Sequence, residues 1–596
     1  MKAIKSISLQ KILAYSKPYK SRFNWVIVWA ISLSIFAALR PYMLKQTVDD
    51  YVQKHDGQGL LIYVGLMGIV LILEVVSQFY FVYWANWLGQ DIVKDIREQL
   101  FRKITSFKMR YFDHEPVGKL VTRAVSDIES IASIFSQGLF MIVSDLLKMV
   151  VVLGIMFYMN WQLSCIVIIG MPILLYATRV FQLKMKGAFQ EVRTQISNLN
   201  TFIQERLTGM KIVQLFTREE VEYQKFKEIN DKHNNAWLKN ILYNSIFFPI
   251  ADIVSSLTLG FIIWYGGMTI ANGGHLTTFG DLFAYTMLIN MLFNPLRQIA
   301  DKFNVMQMGI IAAERVFEVL EIEDEVEKTG DLVAGQFQGT IEFNDVHFSY
   351  IPGVEVLKGI DLKIKAGETV AIVGSSGAGK STIINLLNNF YELDKGSISI
   401  DGTDIKSFTM DSLRKQVAVV LQDVFLFSDS ILNNITLHNP SITRDDVVAA
   451  AIKIGINDFI ESLPYGYDYN VKERGIMLSS GQRQLIAFLR AYVSNPSILI
   501  LDEATSSVDT YSEELMQHAT EHLTKGRTSI IIAHRLATIV KADKIIVMDQ
   551  GRIVETGTHF ELVKLKDGYY KNLYDSQFST VEIAETKHLD SLRNQL

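Results

Sequence analysis

The segment Gly374-Ser375-Ser376-Gly377-Ala378-Gly379-Lys380-Ser381-Thr382 fits the pattern G-x-x-x-x-G-K-[ST]. It follows an apolar run, Thr369-Val370-Ala371-Ile372-Val373, and precedes the helix-like Ile383-Ile384-Asn385-Leu386-Leu387. That strand–loop–helix context is what a phosphate-binding loop requires. Glycines let successive backbone N–H groups turn inward around the β- and γ-phosphates of a nucleoside triphosphate. Lys380 brings a point charge to the same oxygens, and the Ser381 hydroxyl can ligate Mg2+. A second run, Ser497-Ile498-Leu499-Ile500-Leu501-Asp502-Glu503, places apolar residues ahead of two carboxylates. It reads as a buried parallel strand that delivers Asp502 to the site at its C-terminal end. Asp502 then stands on the Mg2+ side, and Glu503 can polarise an attacking water.

The elements that must hold these residues occupy only part of the chain. At 596 residues it exceeds what one core accommodates and implies several domains. Hydrophobic residues make up 49% and charged residues 20%, an average that hides a division. Long apolar runs fill the first half, and the second reads as an ordinary α/β domain. A net charge of −5 gives no electrostatic argument for nucleic acid, so no nucleic-acid partner is expected. The single cysteine, Cys165, excludes an internal disulfide framework and a Cys-rich metal site. In its apolar surroundings it reads as a small buried hydrophobe.

Roughly 20 apolar residues cross a bilayer as a helix. Six segments pass that test, at about 23–44, 60–84, 136–158, 162–182, 244–270 and 279–300. The basic stretch Met1–Arg22 precedes the first, which is too long for a signal-peptide core and lacks a small-residue cleavage site, so it reads as a retained membrane helix. Met159-Asn160-Trp161-Gln162 is a tight turn between the third and fourth spans. Long polar stretches of helical character separate the second from the third and the fourth from the fifth. Both are basic near the membrane, with Lys94, Arg97, Arg102, Lys103, Lys108 and Arg110 in one and Arg179, Lys184, Lys186 and Arg193 in the other. The positive-inside rule puts both long loops and both termini in the cytoplasm. Glu74, Asp145, Lys148, Asp252, Asn290 and Asn294 lie within spans and should face a bundle interior or a water-filled cavity. Asp145 and Lys148, spaced i,i+3, are expected to neutralise each other. Pro172, Pro249 and Pro295 are positioned to kink helices. The expected organisation is a membrane domain at 1–325, a nucleotide-binding domain at 326–578 and a polar tail at 579–596.

Leu478-Ser479-Ser480-Gly481-Gln482 resembles the signature motif of ATP-binding cassette proteins, and other elements of that family occur in family order. Tyr350 resembles the aromatic that stacks on adenine. Gln422, in Val420-Leu421-Gln422-Asp423, resembles the glutamine that touches Mg2+ and senses the membrane domain. Glu473-Arg474-Gly475 is similar to the segment before the signature, and Ser507-Val508-Asp509 to the loop that crosses to the partner domain. His534 resembles the switch histidine near the γ-phosphate. In the membrane half, Tyr111–Leu120 with Thr122–Asp127, and Glu205–Phe216, resemble the two cytoplasmic coupling regions of exporter-type half-transporters. With Ala313-Glu314-Arg315-Val316-Phe317 the likeness spans essentially the full chain.

That resemblance implies a six-span α-helical transmembrane domain followed by an α/β P-loop nucleotide-binding domain, with ATP and Mg2+ as ligands. Glu503 and His534 would be catalytic; Tyr350, Gln422 and residues 374–382 would bind ATP; Ser381, Gln422 and Asp502 would serve the metal. It also implies a dimer, in which each nucleotide lies between one subunit's P-loop and the other's Leu478–Gln482, with Asp509 crossing between them. A homodimer is favoured over a pair with a related half-transporter. Two positions depart from the family. Ser480 stands where glycine is usual, while Ser479 and Gly481 are retained and keep a competent half-site. Lys472 replaces a common glycine, which bears on contact with the membrane domain. The expected function is ATP-driven export of a lipophilic small molecule, drug or lipid across a bacterial cytoplasmic membrane. The alternatives are a peptide or bacteriocin exporter, an importer of exporter fold, and an ATP-gated channel. A processing protease, usual in peptide exporters, has no counterpart in the 22 residues before the first span.

Overall fold

The computed structural model describes residues 10–273, 277–324, 330–502, 510–533 and 535–577. They form two compact units, Met1–Thr105 with Pro116–Glu323, and Ser106–Glu115 with Asp324–Leu596.

The first unit is helical. Its long helices are Lys20–Gln46, Gly57–Thr105, Phe140–Met159, Trp161–Thr208, Glu219–Ala271 and Phe279–Leu320. A helix of 49 or 53 residues, such as the second or the fifth, extends about 75 Å at about 1.5 Å per residue. That is more than twice the roughly 30 Å of a bilayer core, so each carries a polar extension beyond its apolar stretch. Among the described residues, five helical stretches are long and apolar enough to cross a membrane, within Lys17–Val52, Gly57–Thr105, Val117–Met159, Trp161–Thr208 and Glu219–Ala271. The expected sixth span, 279–300, is the first half of Phe279–Leu320, where Asp281, Asn290 and Asn294 interrupt the apolar run. Pro172, Pro249 and Pro295 all lie inside continuous helices.

The turn at Asn160 is built by its own side chain, whose Oδ1 accepts hydrogen bonds from the N–H groups of Gln162 and Leu163, each at 3.1 Å. This cap satisfies two donors that the start of Trp161–Thr208 would otherwise leave orphaned. The Tyr285 hydroxyl, fully buried, lies 2.8 Å from the Met156 carbonyl and 2.7 Å from that of Asn160, locking a third helix onto the turn.

Two expectations fail here. Asp145 pairs with Lys302, not with Lys148. A cation from another helix neutralises it and ties two elements together, which an i,i+3 contact cannot do. Cys165 is exposed, on the outward face of Trp161–Thr208. Apolar surroundings on a helix long enough to cross a membrane do not require packing within the chain. The same holds for Gly57–Thr105, whose most apolar stretch has no buried residue. Other intramembrane charges are paired: Arg40 with Glu74 at 3.5 Å, Arg297 with Asp252 at 2.7 Å.

Among the described residues the second unit holds two sheets. A four-stranded antiparallel sheet has the order β2-β1-β4-β5, from β1 (Ile341–Phe348), β2 (Leu357–Ile364), β4 (Lys395–Ile400) and β5 (Thr403–Asp404). A six-stranded sheet has the order β10-β9-β3-β8-β7-β6, from β3 (Thr369–Gly374), β6 (Val417–Val420), β7 (Ile498–Asp502), β8 (Thr528–Ile532), β9 (Lys544–Asp549) and β10 (Arg552–Gly557). All its pairings are parallel except β9 with β10. Its central strands are apolar without a break because both faces are covered. Side chains alternate between two cores. Val370, Ile372, Ile498, Ile500, Ile530 and Ile532 enter a core shared with the antiparallel sheet. Ala371, Val373, Leu499, Leu501 and Ile531 enter the other, against the helices Ser480–Val493 and Thr510–Thr524.

Candidate functional site

The register of the parallel strands decides which residues can meet. Ile372 of β3 and Asp502 of β7 both lie opposite Ile532 of β8, and Val420 of β6 lies opposite Leu501. The loops that follow β3, β6, β7 and β8 therefore leave from one edge, the carboxyl edge, where ligands of open α/β sheets bind.

At that edge β3 ends in Gly374, and the chain turns through Ser375–Gly379 into the helix Lys380–Leu387. Gly374 has φ +155°, and a Cβ there would lie 2.1 Å from the Met548 carbonyl oxygen. Only glycine lets the loop pass β9 so closely. Gly379, the residue before the helix, has φ +98° and opens the helix's free N–H groups toward the loop. Ser375, Ser376 and Gly377 are exposed, whereas Ala378 is buried and anchors the loop.

Lys380 folds back across this loop, its ammonium donating to the carbonyls of Gly374 at 2.7 Å and Ser375 at 2.9 Å. It is 8% exposed. Burial pulls its pKa below the ordinary lysine value, and Asp502 opposes the shift. The Ser381 hydroxyl lies 3.4 Å from Asp502 Oδ2. A hydroxyl beside a carboxylate is a hard-oxygen donor set of the kind Mg2+ takes. Among the described residues no three His, Cys, Asp or Glu side chains gather as a metal cluster. A cation here would thus draw further ligands from phosphate and water, as Mg2+ at nucleotide sites does.

Tyr350 sits beside the same helix: its hydroxyl accepts from Asn385 Nδ2 at 3.0 Å and lies 3.4 Å from the hydroxyl of Thr382. Its ring meets Phe348 and Tyr391 edge-on, at 4.8 and 5.1 Å between centroids. Gln422 is exposed, two residues beyond the end of β6 at this edge. Glu503, Asp509 and His534 lie outside the described residues.

Leu478–Gln482 forms a separate feature. Ser479 caps the helix Ser480–Val493, accepting from Gln482 N–H at 3.2 Å while the Gln482 side chain accepts from Ser479 N–H at 2.9 Å. This reciprocal box fixes the helix start. Leu478 and Gly481 are buried, whereas Ser479 and Ser480 face outward. Ser480 is the first helical residue and exposed, so the side chain replacing the usual hydrogen disturbs no internal packing.

Lys472 adopts φ +59°, ψ −173°, a region populated almost solely by glycine. Its N–H donates to Asn470 Oδ1 at 2.9 Å, which holds it there. Relief of that strain in Lys472→Gly should exceed glycine's added chain entropy, for a net gain of about 1 kcal/mol. Thermal unfolding of the purified full-length protein checks this; a lower Tm would show that the lysine side chain itself supports the turn.

Sequence reasoning missed Tyr391 and Glu392, and read Lys108 only as one of several basic residues near the membrane. Residues Ser106–Glu115, from the stretch between the second and third spans, fold with the second unit. Asp113 accepts from the Tyr391 hydroxyl at 2.7 Å, and Lys108 pairs with Glu392 at 2.8 Å. The pairs are distant in sequence and carry no local signal.

Comparison with known proteins agrees over both units. Residues 24–296 match the family described as ABC transporter transmembrane region, and residues 357–506 match the family described as ABC transporter. The chain is 34% identical over 577 residues to the uncharacterised ABC transporter ATP-binding protein YknV of Bacillus subtilis (strain 168), covering 96% of this chain and 94% of that protein. It is 36% identical over 567 residues to an ATP-dependent lipid A-core flippase of Desulfotalea psychrophila (strain LSv54 / DSM 12343), covering 94% and 97%. Among solved structures it is similar to a bacterial Atm1-family ABC exporter with ATP bound, with TM-score 0.75 and 29% identity, over 94% of this chain and 98% of that one.

Proposed function

The chain belongs to the ABC transporters, as an exporter with transmembrane region and ATPase fused in one polypeptide, and from that premise we propose that it carries a lipid or other lipophilic compound out across a bacterial cytoplasmic membrane by alternating access. It is a multi-pass membrane protein whose ATPase is coupled to transport, and half-transporters of this fold generally work as dimers. The observation that carries the pump reading is the convergence of Lys380, Ser381 and Asp502 on one sheet edge, in the same chain as the long apolar helices of the first unit. A lipophilic cargo is supported by relatives named as lipid A-core flippases, at 34–36% identity. In this reading both termini and the ATPase domain, at 326–578, are cytoplasmic.

Tyr350 stacks on the adenine, and the N–H groups of residues 374–382 surround the phosphates. Lys380, freed from the two carbonyls it now meets, pairs with phosphate oxygens. Ser381, Asp502 and Gln422 would hold Mg2+, which when bound neutralises charge on the phosphate oxygens. Ser479 and Gly481 of a partner subunit close the far side of the nucleotide, which therefore binds the closed dimer more tightly than the open one. That difference in affinity shifts the conformational equilibrium. Glu503 polarises the attacking water, with His534 near the γ-phosphate, and hydrolysis lets the pair reopen. Asp509 sits on the loop that crosses to the partner.

One chain carries both a complete P-loop face and a retained signature face, so two copies can form two equivalent sites. The protein purified alone should have the mass of a homodimer and hydrolyse ATP. An inactive monomer that gains activity only with a second, related chain would establish the heterodimer.

Stimulation of ATPase activity in lipid vesicles tests the cargo class. Lipids or lipophilic dyes should raise the rate and hydrophilic peptides should not. Stimulation by peptides alone would replace the cargo assignment with a peptide exporter.

A further inference from the structure

His347, on β1, has a carboxylate at each ring nitrogen: Glu355 Oε1 lies 2.5 Å from Nδ1, and Asp345 Oδ1 lies 3.0 Å from Nε2. A neutral imidazole has one N–H and can donate to only one of them; an imidazolium donates to both. The two acceptors belong to different parts of the fold. Asp345 is fixed in the antiparallel sheet, in the irregularity between Phe343 and Val346, where its N–H donates to Asp361 Oδ1 at 2.8 Å and its other oxygen accepts from Lys395 at 2.6 Å. Glu355 lies in the exposed connection from β1 to β2, the same connection that carries Tyr350.

We propose that His347 is a positioning residue for nucleotide binding: as an imidazolium bridging Asp345 to Glu355, it fixes the connection that presents Tyr350, and affinity for ATP falls when it loses its proton. The proposal rests on Tyr350 being the adenine platform. The rigid side of the bridge is the sheet; on the loop side the Val356 N–H donates to the Phe348 carbonyl at 2.8 Å and the Val354 N–H to the Ile351 carbonyl at 3.0 Å, so breaking the bridge loosens the loop without releasing it. Phe348, next along β1, is buried and packs edge-on against the Tyr350 ring, so the ring's base stays anchored while its loop loosens.

The charged groups around His347 come from every neighbouring element. Asp345 shares its strand, and Glu355 lies in the connection. Lys358 of β2 and Lys395 of β4 are its cross-strand neighbours, with Asp361 further along β2. Asp394, before β4, donates its N–H to the His347 carbonyl at 3.0 Å. The hydrogen bond to Glu355, then that to Asp345, raises the His347 pKa above its usual 6.5. With a raised folded-state pKa, the bridge is complete at lower pH and is lost as pH rises through that value. ATP affinity should therefore weaken on the alkaline side of 6.5.

The test is the KM for ATP and kcat of the full-length protein in lipid vesicles, measured from acid to alkaline pH for wild type, His347→Gln, His347→Arg and Tyr350→Ala. Wild-type KM should rise about threefold across the transition with kcat following its own profile, a size typical of one exposed charge pair. His347→Gln should show the higher KM at every pH. His347→Arg, a permanent cation with a fork that can face both carboxylates, should show the lower KM at every pH. A His347→Gln profile that tracks the wild type, while Tyr350→Ala raises KM, overturns the proposal alone. A Tyr350→Ala KM equal to the wild type's overturns the adenine assignment beneath it, and the proposal with it.

Discussion

Lys380→Ala is expected to lower ATPase activity about a hundredfold or more, with the loss appearing first in nucleotide binding. Lys380 is 8% exposed and its ammonium already lies against the Gly374 and Ser375 carbonyls, beside the loop that would meet phosphate. A charge-assisted hydrogen bond to phosphate contributes up to about 3 kcal/mol, and a loss of that size is roughly a hundredfold in an equilibrium constant. Binding of a fluorescent ATP analogue, measured beside turnover, separates lost binding from lost chemistry. Turnover at the wild-type rate would remove Lys380 from the phosphate site.

Glu503→Gln is expected to bind ATP normally and to hydrolyse it about a thousandfold more slowly. General-base assistance contributes roughly 100- to 10,000-fold, and an amide of nearly the same shape cannot supply it. The nucleotide would still bridge Lys380 and the partner subunit's Ser479, so the dimer should stay closed with the chemical step stalled. Spin labels placed across the two ATPase domains should then report one short distance in ATP. Hydrolysis near the wild-type rate, or free opening with ATP bound, would mean that another group carries the catalytic role.

The strand–loop–helix turn at 374–380 was legible in the sequence because its geometry is local. Gly374 and Gly379 are required by backbone conformation and by the close passage of neighbouring atoms, and the residue spacing encodes both. The meeting of Ser381 and Asp502 was nearly as legible, since two apolar runs that each end at a functional residue describe parallel strands of one sheet. Contacts made by tertiary packing were not. Asp145 looked toward Lys148, one turn away, yet its partner is Lys302 on another helix. Cys165 looked buried because apolar surroundings usually mean a core, whereas in a membrane helix they also mean lipid. The strain at Lys472 was visible only as a missing glycine, and its backbone angles give that absence an energetic meaning.

The central claim is that ATP hydrolysis drives lipophilic cargo across the bilayer. The most direct measurement uses purified protein in sealed vesicles with its ATPase domains outside, following accumulation of a fluorescent lipid or dye on addition of ATP and Mg2+. The account predicts uptake against a concentration gradient with ATP, none with a non-hydrolysable analogue, and none from Glu503→Gln. Movement that only ever runs down the gradient, and proceeds equally with the non-hydrolysable analogue, would contradict it and identify an ATP-gated pore.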